Sequence, residues 1–193
     1  MASTVYSNTT TDTMDTIFYS VGSYSELGDQ IHLAGTDRQT TSATVQFFNN
    51  GSTGTFDATL RFFLVGSPVG TQIGPSFIMS GISAPASGVF NVTFSGLNTV
   101  VPTDVIFTVA LSNATTGVDV GVDMFEPPTT GSSDPSFMIV KQGSSYSQLA
   151  TSTEDVFFSL DAIAVTVPEP STLLLLGAPL IGLVAFRLRR KRG

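Results

Sequence analysis

Hydrophobic and polar residues alternate with a period of two in short runs that recur throughout the first 165 residues. Between residues 55 and 64, hydrophobic side chains stand at every second position, at Phe56, Ala58, Leu60, Phe62 and Leu64. This alternation predicts a β-strand with one buried face. Further alternating runs lie at residues 43–47, 90–94, 105–111 and 156–164, with weaker ones at 16–21, 30–34, 72–79, 117–123 and 137–141. No stretch of this region keeps the 3.6-residue period of a helix.

Glycine and proline separate these runs at short intervals, which is typical of all-β domains with tight turns. The runs at 43–47 and 56–64 flank the turn-rich residues 49–54, and we expect them to form a hairpin. The sequence therefore predicts an antiparallel, jelly-roll-like β-sandwich over residues 15–166, with phenylalanine filling the space between the sheets. Residues 1–14 are rich in Ser and Thr, and we expect a flexible N-terminal segment there.

Composition removes several kinds of site. The chain has 193 residues with no Cys and a single His, so thiolate metal sites, disulfides, cysteine nucleophiles and multi-histidine zinc sites are excluded. No phosphate-binding loop or nucleophile elbow occurs. We therefore expect no cofactor and no enzyme activity.

The last 23 residues have a different character. Residues 173–186 form an uninterrupted apolar run of fourteen residues. With its flanks, at 171–188, the segment is about 27 Å long as a helix, which is close to the thickness of a bilayer core. It predicts one C-terminal transmembrane helix. The apolar side chains that would contact lipid, with the proline that membrane helices tolerate, are Leu173, Leu174, Leu175, Leu176, Pro179, Leu180, Ile181, Leu183, Val184 and Phe186.

A basic tail follows at residues 187–193. It holds five of the eight Lys and Arg residues of the chain, namely Arg187, Arg189, Arg190, Lys191 and Arg192. Cations beside a membrane helix favour the cytoplasmic side, so this tail determines the topology and places the domain outside the cytoplasm. Residues 1–167 carry three cationic side chains against fourteen acidic ones. That balance excludes a nucleic-acid partner, because binding a phosphate backbone requires clustered cations.

A short motif, Val167-Pro168-Glu169-Pro170, stands immediately before the apolar segment. Each proline biases the residue before it toward extended backbone, and neither can donate to a sheet. The motif is therefore expected to be an extended tether between the domain and the membrane, in the form that proteolytic enzymes accept.

The order of motif, apolar segment and basic cluster over residues 167–193 closely resembles the PEP-CTERM sorting signal of Gram-negative bacteria. The resemblance implies an exported protein that exosortase, a transpeptidase-like enzyme of the inner membrane, recognises at Pro168-Glu169-Pro170 and cleaves nearby. It further implies anchoring in the inner membrane, then a place at the cell surface or outside the cell, associated with exopolysaccharide and biofilm. Proteins of this kind normally begin with a secretion signal. Because the first residues here are neither basic nor apolar, we expect such a signal to be missing from this sequence.

Two groups of acidic residues in the body are candidate sites. Asp119 and Asp123 share one face of a predicted strand and could bind calcium through oxygen, although such a run is also typical of a solvated strand. The pair Glu154 and Asp155, together with Asp161, could supply the two carboxylates that glycoside hydrolysis needs, although adjacent acids are also common at sheet edges.

Three functions therefore remain. The first is a non-enzymatic surface or extracellular-matrix protein that the tail sorts. The second is a carbohydrate-binding β-sandwich on the same anchor, although the chain has no Trp and only four Tyr to stack against sugars. The third is a glycan hydrolase.

Overall fold

The computed structural model of the chain describes residues 1–133, 137–150 and 154–165. It is all-β, with about 68% of residues in strands that form two antiparallel sheets. This confirms the predicted fold class, whereas the jelly-roll designation stays a prediction. The described residues form fourteen strands: β1 (Ser3–Asn8), β2 (Asp12–Phe18), β3 (Tyr24–His32), β4 (Gln39–Asn49), β5 (Gly54–Val65), β6 (Val69–Ala84), β7 (Gly88–Ser95), β8 (Asp104–Ser112), β9 (Val120–Phe125), β10 (Ser132–Ser133), β11 (Phe137–Gln142), β12 (Ser145–Ala150), β13 (Asp155–Val156) and β14 (Phe158–Ile163).

The first sheet, which we call sheet A, is organised around β4. One edge of β4 pairs with β7, and the other pairs with β14 and, toward the end of the strand, with β9. The remaining strands extend the sheet outward, because β1 pairs with β14 while β2 and β13 pair with β9. The last strand before the tail therefore has a hydrogen-bonded neighbour on each side.

The second sheet, sheet B, has the order β12-β11-β3-β8-β5-β6, with β10 pairing additionally with β3. The longest strand, β6, has sixteen residues and forms an edge. Its register against β5 shifts at three points, which are β-bulges or related irregularities. Gly74 and Gly81 lie at two of these shifts with positive φ, a conformation that glycine adopts without strain.

The core lies between the two sheets and contains the alternating hydrophobic side chains that the sequence predicts. The rings of Phe107 in β8 and Phe158 in β14 stack with centroids 3.7 Å apart, and Phe47 meets Phe56 edge-to-face at 5.7 Å. Each pair joins one sheet to the other. Burying such rings is the largest apolar contribution to a sandwich core.

Two expectations from the sequence do not hold. The N-terminal segment is not a loose end over its whole length, because Ser3–Asn8 form β1, in which Val5 and Tyr6 are buried. The strand has only two hydrophobic residues, and they are adjacent, so period-two alternation did not predict it. The runs at 43–47 and 56–64 do not form a hairpin either. They lie in β4 of sheet A and β5 of sheet B, so the turn-rich segment between them crosses from one sheet to the other.

Candidate functional site

The chain leaves the sandwich toward its C-terminal tail at one end, which we call the tail pole. Ile163, the last residue of β14, pairs with Gln39 at the start of β4. Val165, two residues later, is 40% exposed. Ser3 pairs with Ala162, so the beginning of β1 lies at the same pole. The opposite end, the distal pole, lies where β4 ends at Asn49, about 30 Å away at the usual strand rise.

The predicted sorting residues lie outside the described residues. This applies to Val167, Pro168, Glu169 and Pro170, to the apolar segment 171–188 and to the basic tail. In the part of the chain that the structure does describe, no helix has the length and hydrophobicity needed to cross a bilayer.

The two candidate calcium ligands have separate environments. Asp119 accepts a hydrogen bond from Ser20 at 2.7 Å, whereas Asp123 accepts one from Thr16 at 2.8 Å. Asp119 lies just before β9, beside the turn after β2, whereas Asp123 lies within β9 against β2 itself, so different parts of the chain hold the two carboxylates. Among the described residues, no three His, Asp or Glu side chains are arranged to hold a metal.

The acids considered for hydrolysis are not brought together as a catalytic pair. Asp155 is fully buried between the sheets. Asp161 lies on the outer face of sheet A, where its carboxylate accepts hydrogen bonds from Thr4 and Ser42. Glu154 precedes β13 and is half-buried.

Asp155 instead meets Asp29, a residue that sequence reasoning did not single out. Asp29 is 1% exposed, and one of its oxygens accepts the Gln30 backbone N–H at 2.7 Å. Its other oxygen has no partner with full hydrogen-bond geometry among the described residues. Burial, and then the charge of Asp155 and the hydrogen bond with it, raise the pKa of Asp29 well above its usual value, although the backbone N–H groups of Gln30 and Val156 both act to lower it. The raised pKa favours a proton bound to this pair, and Ser133 donates a hydrogen bond to Asp155 from the other side.

A second charged cluster lies on the outer face of sheet B. Glu26 is 3% exposed and binds Arg61 and Lys141 at 2.8 Å each. Thr108 and Tyr146 donate hydrogen bonds to the same carboxylate. Burial alone would raise the pKa of Glu26, but these donors and the charge of Arg61 lower it below its usual value. Both oxygens of Glu26 accept hydrogen bonds, from Lys141, Thr108 and Tyr146, whereas Arg61 Nη1 contacts Glu26 without hydrogen-bond geometry. The cluster therefore stabilises the sheet and leaves no free acceptor on Glu26 for a ligand.

The outer face of sheet A contains a cavity of about 210 Å³ in its distal half, which we call the outer-face cavity. It is lined by Asp12, Met14, Asp15, Thr16, Phe48, Val89 and Asp123. The register of β2 against β9 shifts between Asp12 and Thr16, and the extra residues bulge outward to form one wall. Met14 lies at the top of this bulge with positive φ and is 86% exposed.

Asp123 is the most buried polar group of the outer-face cavity, at 5% exposure. Within the described part of the chain, its carboxylate accepts a side-chain hydrogen bond from Thr16 alone, through one oxygen. Burial raises the pKa of Asp123, the hydrogen bond from Thr16 lowers it, and the negative charge of Asp12 raises it further; the net shift is upward. The cavity therefore contains a poorly solvated carboxylate beside a second one.

A groove of about 310 Å³ opens at the distal pole itself, between the turn after β2 and the β8–β9 connection. Its inner wall includes Phe56 and Tyr19, whose hydroxyl donates to the Val109 carbonyl at 2.8 Å. Because Tyr19 is buried and already bonded, its hydroxyl is not available to a ligand. Tyr6 is also buried, whereas Tyr24 and Tyr146 are half-buried, so no tyrosine offers a fully exposed ring to a sugar.

Comparison with known proteins assigns the tail. Residues 166–191 match a family model described as the PEP-CTERM protein-sorting motif, which confirms the resemblance predicted from the sequence. PEP-CTERM domains are substrates of exosortase, and such a tail implies a secreted protein that is sorted to the cell envelope. No curated protein and no solved structure matches the chain.

Proposed function

We propose that this chain is a non-enzymatic surface or matrix protein, held in the inner membrane by residues 171–188 until an exosortase-type transpeptidase cleaves it near Pro168-Glu169-Pro170. In this proposal the β-sandwich lies outside the cytoplasm and becomes associated with exopolysaccharide after cleavage. The observation that carries it is the match of residues 166–191 to the sorting motif, directly after the last strand of a folded domain.

The position of β14 supports a role for the sandwich as the cargo of this tail. The strand pairs with β1 on one side and β4 on the other, and Phe158, Leu160 and Ala162 are buried. Cleavage beyond Val165 therefore cuts the chain after a strand that is paired on both sides and packed in the core. The sandwich is expected to stay folded after the tail is removed.

The placement of the acids that the sequence suggested for hydrolysis supports the non-enzymatic part of the proposal. A glycosidase needs two carboxyls about 5–10 Å apart across an open cleft. Asp155 and Asp29 are close together but closed off from solvent, and Asp161 lies on the other face of sheet A from them.

Substitution of Glu169 tests the recognition step. Glu169 places one carboxylate between two prolines, and we expect it to meet a cation in the processing enzyme. In a bacterium that contains exosortase, Glu169→Gln and Glu169→Ala should leave the full-length chain in the membrane fraction, as seen by immunoblot of separated fractions.

Glu126→Gln is the matched control, since it makes the same chemical change in the body and should be processed normally. Normal processing of both Glu169 variants would remove the role of this carboxylate. Normal processing in a strain without exosortase would remove the sorting proposal itself.

Carbohydrate binding is the second candidate function, and the outer-face cavity favours it. The cavity lies in the half of the sandwich away from the tail, where a ligand outside the membrane can reach it, and it combines an aromatic ring with polar groups. A glycan array probed with the detergent-solubilised full chain tests this function, and an absence of binding to every glycan would contradict it.

A further inference from the structure

The outer-face cavity has an unbalanced negative charge. Asp12, Asp15 and Asp123 line it, and no described cation does. The cationic side chains of the described residues lie elsewhere. Arg38 bonds to backbone carbonyls near the tail pole, and Arg61 and Lys141 bind Glu26 on sheet B. A ligand for this cavity is therefore expected to bring a positive charge of its own.

The geometry indicates an organic cation rather than a metal ion. The carboxylates around the cavity are not arranged to hold a metal, which would need oxygens within about 2.3–2.6 Å of one point. The space of about 210 Å³ is smaller than the ~300–1,000 Å³ of sites for drug-sized ligands. It fits a molecule the size of one sugar ring.

The apolar side of the cavity suits the C–H face of such a ring. Phe48 lines it and is held in place by an edge-to-face contact with Phe18 at 6.2 Å. Val89 stands opposite Phe48 on β7 and is 53% exposed. Sugars place their C–H groups against aromatic rings, and an ammonium group near such a ring gains a cation–π attraction.

Uncharged polar side chains continue from the cavity along the same face of the sheet. The next cross-strand pair after Phe48 and Val89 is Gln46 with Asn91, whose amides are hydrogen-bonded at 3.0 Å. The pair after that is Thr44 with Thr93, whose hydroxyls are 2.9 Å apart. These rows extend about 13 Å beyond Phe48 and offer amide and hydroxyl groups to the hydroxyls of neighbouring sugar residues.

We propose that the outer-face cavity binds a sugar residue with a protonated amino group, within a glycan whose adjacent residues lie along the Gln46–Asn91 and Thr44–Thr93 rows. The carboxylates of Asp12, Asp15 and Asp123 receive the ammonium group, and Phe48 packs against the sugar ring. This inference rests on the second candidate function and is independent of sorting by the tail.

The test compares glycans that differ only in the amino group. Oligomers of glucosamine are titrated into the detergent-solubilised full chain by calorimetry, beside N-acetylglucosamine oligomers and uronic-acid oligomers of equal length. Because charge-assisted hydrogen bonds contribute about 1.5–3 kcal/mol, the free-amine oligomer should bind at least about tenfold more tightly than its acetylated counterpart. The uronic-acid oligomer should not bind. Equal affinity for the first two would overturn the proposal.

Paired variants locate the site. Asp12 and Asp15 are exposed, so Asp12→Asn/Asp15→Asn should fold normally and lose about tenfold in affinity for the glucosamine oligomer. Asp37→Asn/Asp104→Asn removes the same charge near the tail pole and should bind like the wild type. Equal loss in both double variants would mean that only the net charge attracts the oligomer, and the proposal would fail.

A lysine pentapeptide separates a glycan from a basic protein partner. It carries ammonium groups without sugar rings, so it should bind at least tenfold more weakly than the glucosamine oligomer. Equal or tighter binding of the peptide, lost in Asp12→Asn/Asp15→Asn, would assign the cavity to a protein partner and overturn the proposal. Processing of the tail at Glu169 is unaffected by either outcome, so a failure here is distinguishable from a failure of sorting.

Discussion

The buried acid pair Asp29 and Asp155 should make the stability of the folded domain depend on pH. An aspartate in the unfolded chain has a pKa of about 3.9, whereas burial and Asp155 raise the pKa of Asp29 in the folded state. The stability that comes from the bound proton is fully present below pH ~4 and is lost as the pH rises through the folded-state pKa. The pair therefore favours folding in mildly acidic surroundings.

Asp29→Asn should remove this dependence. Asparagine does not ionise, can still accept the Gln30 N–H, and can donate to Asp155. Between pH 5 and pH 8 we expect the melting temperature of the wild type to fall relative to that of the variant. At pH 8, where ionisation of the buried acid disfavours folding of the wild type, the variant should have the higher melting temperature. Melting curves followed by circular dichroism measure this.

Asp37→Asn serves as the control, since Asp37 bonds to Ser3 in an exposed position. Its melting temperature should follow that of the wild type across the same range. Parallel curves for Asp29→Asn and the wild type would show that no proton is shared between the two carboxyls.

The sequence predicted some properties of the acidic residues, but it did not predict which of them are buried. The acidic character of Asp155 and Asp123 was apparent, and so was their position in or beside strands. Their burial was not apparent. A strand as short as β13, with two residues, has no alternating pattern that could show which of its side chains points into the core. The partner of Asp155 lies 126 positions away on the opposite sheet, and no local pattern links the two.

Among the strands, β1 makes more buried contacts than its short and mainly polar sequence indicates. Tyr6 is fully buried, its ring lies 6.2 Å from that of Phe158, and its hydroxyl bonds to Ser133. Asn8 extends the attachment, since its side-chain amide donates to the Phe125 carbonyl at 2.9 Å. The strand thus ties β14 to the centre of the molecule.

Tyr6→Ala should lower the free energy of unfolding by about 3–5 kcal/mol, because removing a large buried ring leaves a cavity. Denaturation of the full chain in urea, with detergent present throughout, measures this loss. Ser3→Ala, on the exposed start of the same strand, should change the free energy of unfolding by less than about 0.5 kcal/mol. A similar small effect for both variants would mean that β1 is not part of the stable domain.

Strand patterns also show where sequence reasoning reached its limit. The alternating runs of β5 and β8 were predicted closely, and the run at 43–47 marked the middle of β4, because period-two hydrophobicity does not depend on which strand is the partner. The choice of sheet was not predictable for β5. Residues 49–54 have the composition of a hairpin turn, yet the connection passes between sheets, so that Phe47 and Phe56 meet across the core instead of side by side.

At the scale of the whole molecule, the described structure and the sorting motif divide the chain into two parts with different tasks. The sandwich has its last strand at the tail pole, and the outer-face cavity lies in the distal half, about 30 Å along β4. A domain tethered at one end presents its other end to the surroundings. The tail was recognised from the sequence because its motif lies in one contiguous segment. The cavity could not be predicted in this way, because it is formed by a bulge and by strands that are distant in the chain.

The intact mass of the mature protein, isolated from the cell surface or the culture medium of an exosortase-containing bacterium, shows whether the tail is removed during sorting. Cleavage by exosortase should leave a chain that ends close to Pro168-Glu169-Pro170 and lacks about the last 25 residues of the sequence, including the basic tail. A surface protein that still carries Arg187 to Gly193, or a full-length chain found only in the cytosol, would contradict this prediction.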